Sequence, residues 1–333
     1  VAATETITES TSGIQKLANF ADKTTLGGYG ELHYNNLSGK GGASDKDEID
    51  FHRFVLFFGH EFNDDIRFFS ELELEHSIAG GGKNGEIELE QAYLDFDLND
   101  QHTARAGLFL LPVGIINETH EPPTFYGTER NPVEKNIIPA TWWAAGAGAH
   151  GQLGAGFSYD AYVHSGLAVD NGFSVRSGRQ KVSQAKANDL AAVSAQHQQD
   201  MGQGLVTGLE SGNLIETHAI WANGPFTLKA LYAMWDINGS AVKAAGADKQ
   251  EGFYLEPSYR LSDKFGLFAR FNQWDNLAGS NAGAAKDSEK QQWDVGINYW
   301  PHEDVVIKAD YQYQSNDNGE EQNGLNLGVG YQF

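Results

Sequence analysis

The chain has 333 residues and no cysteine, and its 45 acidic and 23 basic side chains give a formal net charge of -22. This charge argues against nucleic-acid partners, because phosphate backbones repel it. The missing cysteines exclude disulfides, thiolate metal sites and cysteine nucleophiles. No stretch approaches the roughly 18 consecutive apolar residues of a membrane-spanning helix. Aromatic residues make up 12% of the chain, which argues against disorder.

The first 24 residues differ from the rest of the chain. Ile14, Leu17, Ala18 and Phe20 form a short apolar stripe at helical spacing. We interpret residues 1–24 as an N-terminal periplasmic segment, helical or disordered. A plug, a contact between subunits and a frayed terminus all remain open for it.

From residue 25 onward, apolar and polar side chains alternate with period two in segments of roughly ten residues. At the end of the chain, Leu325, Leu327, Val329 and Tyr331 share one face with Phe333. The pattern is least distinct between residues 144 and 211, where alanine and glycine blur it. It predicts sixteen strands, at 25–36, 48–62, 65–76, 87–98, 102–111, 144–152, 156–167, 189–198, 203–211, 213–223, 225–237, 251–261, 264–275, 290–300, 304–315 and 323–333.

The joins between these strands alternate in length. Short turns such as Asn63–Asp64 alternate with long segments such as 37–47, 168–188, 238–250, 276–289 and 316–322. Short turns at one end and long loops at the other are typical of an outer-membrane barrel, and an even strand number closes it. Aromatic residues near strand ends resemble an interfacial girdle, namely Tyr34, Phe51, Phe62, Trp274, Tyr299 and Tyr313. We therefore predict an all-β, 16-stranded antiparallel transmembrane barrel over residues 25–333; a soluble sandwich rarely needs so many strands.

Acidic side chains dominate the predicted inner wall of the first strands. Residues 1–100 hold twenty acidic and seven basic residues. Such a wall concentrates cations, and the predicted pore-lining residues are Arg53, Arg67, Glu71, Glu73, Glu75, Asp95, Asp97 and Arg105. In the alternative interpretation, these carboxylates simply pair with inward arginines. A Ca²⁺ site is a third, weaker interpretation, because it would need about six converging oxygens. Glu88 and Glu90 share a face with Leu94 and Phe96, which places them on the outer side, above the hydrocarbon zone.

Residues 113–143 are too long for a hairpin turn and too apolar for a freely moving loop. We predict that they fold into the barrel as a constriction loop; an external loop covering a trimer contact is the alternative. The predicted constriction residues are Glu118, His120, Glu121, Tyr126, Glu129, Arg130, Glu134 and Lys135. The loose spacing of Glu118, His120 and Glu121 is weak evidence for a metal ion, so we expect no metal site.

One block of the sequence has the character of a motif. Residues Ala104–Gly114 read ARAGLFLLPVG, with Gly107, Phe109, Pro112 and Gly114 in a Gly-x-Phe-x-x-Pro-x-Gly pattern. Phe125, Glu129 and Arg130 follow at looser spacing. This block resembles the phosphate-selective porin family, the O and P type. The resemblance implies a trimeric outer-membrane diffusion channel whose third long loop folds inward.

The chain departs from that family's pattern in its basic residues. The family implies a ladder of inward arginines and lysines, whereas this chain has eight arginines in all. We therefore expect a passive porin of a Gram-negative outer membrane that passes small ions and hydrophilic solutes, with a preference for cations or weak selectivity. An anion channel for phosphate or polyphosphate is the alternative; a barrel-bound hydrolase and a structural barrel are weaker ones. We expect no enzymatic activity, no cofactor and no nucleic-acid partner, and contacts with outer-membrane lipid, lipopolysaccharide and two further copies of the chain.

Overall fold

A computed structural model describes residues 20–76, 85–139, 141–165, 174–175, 179–181, 211–279 and 288–333. The predicted strands 189–198 and 203–211 lie outside these ranges, except for residue 211. Most of the predicted N-terminal segment and most of the predicted loop 168–188 also lie outside them. The strands are β1 (Thr24–Lys40), β2 (Lys46–Asn63), β3 (Ile66–Glu75), β4 (Ile87–Asn99), β5 (His102–Leu110), β6 (Trp143–Gly154), β7 (Phe157–His164), β8 (Ser174–Val175), β9 (Arg179–Lys181), β10 (Ser211–Asn223), β11 (Phe226–Asn238), β12 (Lys249–Arg260), β13 (Phe265–Asp275), β14 (Lys290–His302), β15 (Val305–Asn316) and β16 (Glu321–Gln332).

These strands form one antiparallel sheet that closes on itself. Each strand pairs with its neighbour in the chain, and β1 also pairs with β16 over residues that include Tyr29 opposite Gln332 and Lys40 opposite Glu321. The ring leaves no unpaired edge between the first and last strands, as a bilayer requires. Short helical turns occur at Pro122–Thr124, Val133–Asn136 and Ser240–Ala245. Within the described ranges, none of the helices has the length and apolar character needed to cross a membrane.

The predicted number of sixteen long strands is corrected by the structure. Fourteen strands in the described ranges have eight or more residues, and each overlaps a predicted strand. The remaining two, β8 and β9, have two and three residues and lie at neither of the predicted positions. The alanine- and glycine-rich sequence there carries too little alternation to set strand boundaries.

Alternation along the strands matches the two faces of the sheet. In β16 the outward Leu325, Leu327 and Val329 are about two-fifths exposed, whereas the inward Asn326 is 1% exposed. The same division holds in β15, where Lys308 and Asp310 are buried between the exposed Ile307 and Tyr311. The outer surface is therefore apolar and the lumen polar along these strands. One girdle prediction is wrong: Trp274 is buried inside the barrel, because it lies on the inward face of β13.

Two predicted loops are shorter than expected. Strands β1 and β2 run on to Lys40 and from Lys46, so the segment predicted as loop 37–47 is reduced to 41–45. Likewise β15 and β16 leave only residues 317–320 between them. The strands of these hairpins continue as polar residues beyond the apolar band of the barrel. The prediction assumed strands of roughly ten residues, so it assigned these polar residues to loops.

Bulges in β2 and β4 change which residues face the lumen. The register between β1 and β2 shifts after the Glu31–Arg53 pair, and that between β3 and β4 shifts after the Glu71–Gln91 pair. Each bulge adds one residue to its strand, so side-chain alternation reverses beyond it. The outward placement of Glu88 and Glu90 is therefore wrong: Glu90 is 1% exposed inside the barrel, and Leu89 takes the outer face.

Candidate functional site

The segment between β5 and β6 is held at its two ends by one side chain. The Asn117 amide donates to the carbonyls of Leu111 (2.7 Å) and Trp142 (2.9 Å), and its oxygen accepts from the Trp142 N–H (2.7 Å). The Leu111 N–H also donates to the Trp142 carbonyl (2.9 Å). We call residues 113–143 the inner loop. Its ends are fixed where β5 and β6 meet, so its course is set by the segment between them.

The first turn of the inner loop depends on Gly114 and Glu134. Gly114 has a φ of +83°, and a Cβ there would lie 2.3 Å from the Glu134 Oε1. That oxygen accepts from the N–H groups of Ile115 (2.5 Å) and Ile116 (2.8 Å), while Oε2 accepts from Asn131 (2.7 Å) and from the Tyr254 hydroxyl (3.0 Å). The final glycine of the motif is thus required by conformation and by close approach.

The middle of the inner loop crosses to the far wall of the barrel. The Phe125 carbonyl accepts from Asn298 (3.0 Å), the Pro123 carbonyl from Trp300 (3.2 Å), and the Thr128 N–H donates to Asp310 (2.7 Å). Inward glycines make room for it: a Cβ on Gly330 would lie 2.2 Å from Pro122 Cβ, and one on Gly266 would lie 2.2 Å from the Tyr126 hydroxyl. These contacts place the loop inside the barrel.

The end of the inner loop packs in an apolar cluster. Ile137 and Ile138 are 0% and 1% exposed, and the Trp235 indole donates to the Ile137 carbonyl (2.8 Å). We call this group of side chains the apolar half of the lumen. Its buried members come from the loop, β5–β7, β11–β13 and the helix Ser240–Ala245: Phe109, Leu111, Val133, Ile137, Ile138, Trp142, Ala144, Tyr162, Leu231, Ala233, Trp235, Ile237, Val242, Ala247, Tyr254 and Trp274.

A cavity of about 300 Å³ lies between the inner loop and the wall formed by β1–β4. We call it the acidic cavity, because seven carboxylates, four basic side chains and three histidines line it. The carboxylates are Glu31, Glu48, Asp50, Glu75, Glu88, Glu90 and Glu129; the basic side chains are Lys46, Arg53, Arg130 and Lys135; the histidines are His33, His52 and His76. Carboxylates thus outnumber lysine and arginine side chains around this cavity, which adjoins the inner loop.

Glu129 is the loop carboxylate closest to this wall. Its Oε1 lies 3.2 Å from His33 Nδ1 and accepts from the Asn35 amide (3.0 Å). Removal from water disfavours the charged form of the Glu129 carboxyl and raises its pKa. The nearby His33 and Lys135 have the larger, opposite effect and hold the pKa of this carboxyl well below its usual range. Glu129 is therefore ionised at neutral pH and forms an ion pair with His33.

The eight predicted pore-lining residues occupy three different environments. Arg53 and Glu75 line the acidic cavity. Glu71 and Glu73 are each 1% exposed beneath the inner loop, so their predicted exposure to the lumen is wrong. The other four form two ion pairs on the inner face, Arg67 with Asp97, and Arg105 with Asp95 at 2.8 Å.

Three of the eight predicted constriction residues line the acidic cavity, namely Glu129, Arg130 and Lys135. Glu134 is buried and holds the loop turn, and His120 is buried against β3 and β4, so neither faces the cavity. The Tyr126 ring packs on Phe268 and Trp300 at centroid distances of 5.5 and 5.6 Å. Glu118 is exposed and Glu121 half-buried, both outside the cavity lining.

Sequence reasoning missed several cavity residues. Asp50 and His52 face the lumen beyond the β2 bulge, and the Asp50 Oδ2 lies 3.0 Å from His52 Nδ1 and 2.9 Å from His76 Nδ1. Glu88 and Glu90 enter beyond the β4 bulge. The signal for both bulges is an apolar spacing of three instead of two, from Phe51 to Phe54 and from Leu89 to Ala92.

Comparison with known proteins agrees with this architecture. The family model for phosphate-selective porins O and P matches residues 25–134. An uncharacterized protein of Aquifex aeolicus is 32% identical to this chain over 338 aligned positions, which cover 86% of this chain and 74% of that protein. The match therefore extends well beyond the motif at Ala104–Gly114.

Solved structures show the same fold at low identity. An anion-selective porin from Comamonas acidovorans has a TM-score of 0.64 at 12% identity and covers 93% of this chain and 99% of its own. A Salmonella typhi OmpF complex has a TM-score of 0.62 at 12% identity, covering 93% and 97%. The trimer form of OmpT from Vibrio cholerae has a TM-score of 0.54 at 11% identity, covering 93% and 100%. The chain belongs to the phosphate-selective porin O and P family and is a porin of the Gram-negative outer membrane.

Proposed function

We propose that this porin is a non-enzymatic diffusion channel whose narrow region, beside the inner loop, favours cations and neutral polar solutes over anions. The observation that carries the proposal is the acidic cavity, where seven carboxylates face four basic side chains. Even with a charged His33 added to the four basic side chains, the carboxylates are in excess, so solutes that pass the inner loop on this side meet more acidic than basic groups. Such a lining raises the local concentration of cations and lowers that of anions.

The pairing of inward arginines supports the same proposal. Arg53 lies 2.9 Å from Glu31 and 3.2 Å from Glu73. Arg270 is 2% exposed and contacts Glu256 at 3.3 Å and Asp294 at 3.1 Å. A carboxylate beside each guanidinium cancels most of its attraction for a passing anion.

An anion-selective pore for phosphate or polyphosphate is the second candidate, and the family name favours it. It would need the basic residues to converge on one track. Lys308 instead lies under the Phe125 ring, 3.5 Å from its centroid, and Arg260 lies over Trp300 at 3.7 Å. Arg130, whose Nη1 donates to Thr141 (2.5 Å), lines the acidic cavity together with Lys135 and is the best-placed base for such a track.

We also propose that the barrel forms a homotrimer in contact with membrane lipid. The trimer form recorded for the Vibrio cholerae relative supports a homotrimer. The apolar outer face supports direct contact with outer-membrane lipid and lipopolysaccharide.

Incorporation of the purified full-length chain into planar bilayers tests the channel itself. We expect stepwise conductance in KCl and passage of small neutral sugars in a liposome-swelling assay. Correctly folded protein that gives neither conductance steps nor swelling would contradict the proposal and favour a structural barrel. Ester hydrolysis by the same preparation would favour a barrel-bound hydrolase.

A further inference from the structure

A buried group of polar side chains joins the inner loop to the wall. Glu71 on β3 and Glu90 on β4 are each 1% exposed, and His120 of the loop is 3% exposed. The His120 Nε2 lies 3.6 Å from Glu71 Oε1 and 3.8 Å from Glu90 Oε2. Each of the three side chains offers one ligand atom, and these ligand atoms lie within 4.8 Å of one another. They come from three separate elements and converge on one point.

None of these three atoms has a hydrogen-bond partner among the described residues. Each belongs to a side chain more than nine-tenths buried, where an unpaired polar atom costs free energy. Glu73, also buried, has both carboxylate oxygens without a hydrogen bond, although Arg53 lies 3.2 Å away. Arg53 thus faces Glu73, and a bound cation would satisfy the remaining oxygens of Glu71 and Glu90 and balance their charge.

The orientation of His120 suits metal binding. Its Nδ1 lies 2.9 Å from the Asn117 carbonyl, an acceptor, so Nδ1 carries a proton and donates it. In the neutral ring the lone pair is then on Nε2, directed at the two carboxylates. Metal-ligating histidines are commonly held in this way by a backbone carbonyl. The Gln91 amide likewise donates to Glu71 Oε2 (2.6 Å), which leaves Oε1 to face Nε2.

The spacing of the three atoms fits a small four-coordinate ion. Ligand bonds of about 2.0–2.2 Å in a tetrahedral site place neighbouring ligand atoms about 3.3–3.6 Å apart. The observed 3.6 and 3.8 Å are close to this range and longer than a hydrogen bond. One imidazole and two carboxylates are a ligand set that suits Zn²⁺ and similar divalent ions better than Ca²⁺, which takes six or more oxygens.

We propose that Glu71, Glu90 and His120 bind one divalent cation of the Zn²⁺ class, which fastens the inner loop to strands β3 and β4. The site is enclosed, so the ion enters as the barrel folds. Glu90 also lines the acidic cavity, so a bound ion would make that cavity less negative. The tests below measure metal binding and not selectivity, so the two proposals can fail separately. The alternative is a protonated His120 that balances the carboxylates without any metal.

Metal analysis of the refolded full-length chain tests the site. The protein is unfolded in urea with a chelator, refolded into detergent with excess ZnCl₂, desalted and analysed for zinc. We expect one equivalent of tightly held zinc per chain. Refolding with CoCl₂ should give the strong visible absorption typical of four-coordinate Co²⁺. No retained zinc, or retention of Ca²⁺ in place of Zn²⁺, would overturn the proposal; the former would favour the protonated histidine.

Two matched variants locate the ion. Glu90→Gln should weaken zinc binding at least tenfold, whereas Glu88→Gln, two residues along the same strand and inside the acidic cavity, should retain it. His120→Ala should lose zinc, whereas the double variant His52→Ala/His76→Ala should keep it. Loss in the double variant with retention in His120→Ala would place the ion beside Asp50 and overturn the proposal. If the variants at 90 and 120 do not fold, the cobalt spectrum of the double variant His52→Ala/His76→Ala is decisive: the spectrum should persist, and its loss would overturn the proposal.

Discussion

The two halves of the lumen differ in how the inner loop meets the wall. On the apolar half, Val133, Ile137 and Trp142 pack against β6, β7 and β11–β13 in a continuous cluster. On the opposite half, β1–β4 face the loop across the acidic cavity of about 300 Å³. The inner loop is therefore packed against apolar side chains on one side and separated from the wall by a cavity lined with charged residues on the other.

The difference suggests two roles: contacts on the apolar half hold the loop in place, and charged groups on the acidic half border the space through which solutes pass. Burial of a large apolar side chain contributes about 1.5–3 kcal/mol, so several such residues on the apolar half can fix the loop. Charged groups on the acidic half stay next to the cavity, where water can solvate them and passing ions can sense them. We propose that the apolar half determines where the loop lies and that the acidic half determines which solutes pass beside it.

The largest effect is expected from placing a charge in the apolar half. Ile137→Asp should lower the free energy of unfolding by about 3–5 kcal/mol, because a buried carboxylate without a partner is costly. The loop should then leave its place, and the single-channel conductance should rise. Denaturant unfolding in detergent and planar-bilayer recordings measure the two effects.

Ile137→Val is the matched control, since it keeps an apolar side chain and should cost only about 0.5–1.5 kcal/mol. An unchanged conductance in folded Ile137→Asp protein would mean that the apolar half does not hold the loop.

A smaller effect is expected from neutralising the acidic half. The triple variant Glu48→Gln/Glu75→Gln/Glu129→Gln should reduce the ratio of cation to anion permeability to about half or less, because the cavity loses three carboxylates. The folded state should persist. The measurement is the zero-current potential in a KCl gradient.

The control for this variant removes the same charge from the exposed short-turn end of the barrel, as Glu61→Gln/Asp263→Asn/Glu303→Gln. These sites lie outside the lining of the acidic cavity, and salt screens charges beyond about 8–10 Å. Equal shifts in both triple variants would show that overall charge, and not the cavity, sets selectivity.

The smallest effect is expected where the loop meets the far wall. Gly330→Ala would place a Cβ 2.2 Å from Pro122, and such overpacking costs about 1–3 kcal/mol. We expect a modest loss of stability and a small change in conductance. Gly59→Ala, whose Cβ would meet its nearest atom at 3.7 Å, should change neither. A tolerated Gly330→Ala would weaken the close docking of the loop against β16.

Much of the fold is predictable from the sequence because strand alternation has a fixed period. In β16, for example, Leu325, Leu327 and Val329 alternate with polar or small residues such as Asn326, and this alternation alone identifies the strand. The other long strands were predicted from the same kind of pattern. Between residues 144 and 211, where alanine and glycine blur the alternation, β6 and β7 still match predicted strands, whereas β8 and β9 lie at neither of the two positions predicted for the remaining strands.

The site is less predictable, because it depends on contacts between distant parts of the chain. A bulge reverses the faces of a strand, which misplaced Glu88 and Glu90. The burial of Glu71 and Glu73 depends on where the inner loop lies, and strand periodicity carries no information about that. The Ala104–Gly114 motif pointed to an inward loop through its family resemblance, but not to the residues that this loop covers.

The most direct test of the central claim is the zero-current potential of the unaltered porin in a planar bilayer under a KCl gradient. The acidic cavity predicts a potential of the sign that marks preference for K⁺ over Cl⁻. A potential of the opposite sign would contradict the claim. It would mean that a few basic side chains such as Arg130 and Lys135 outweigh the seven carboxylates around them.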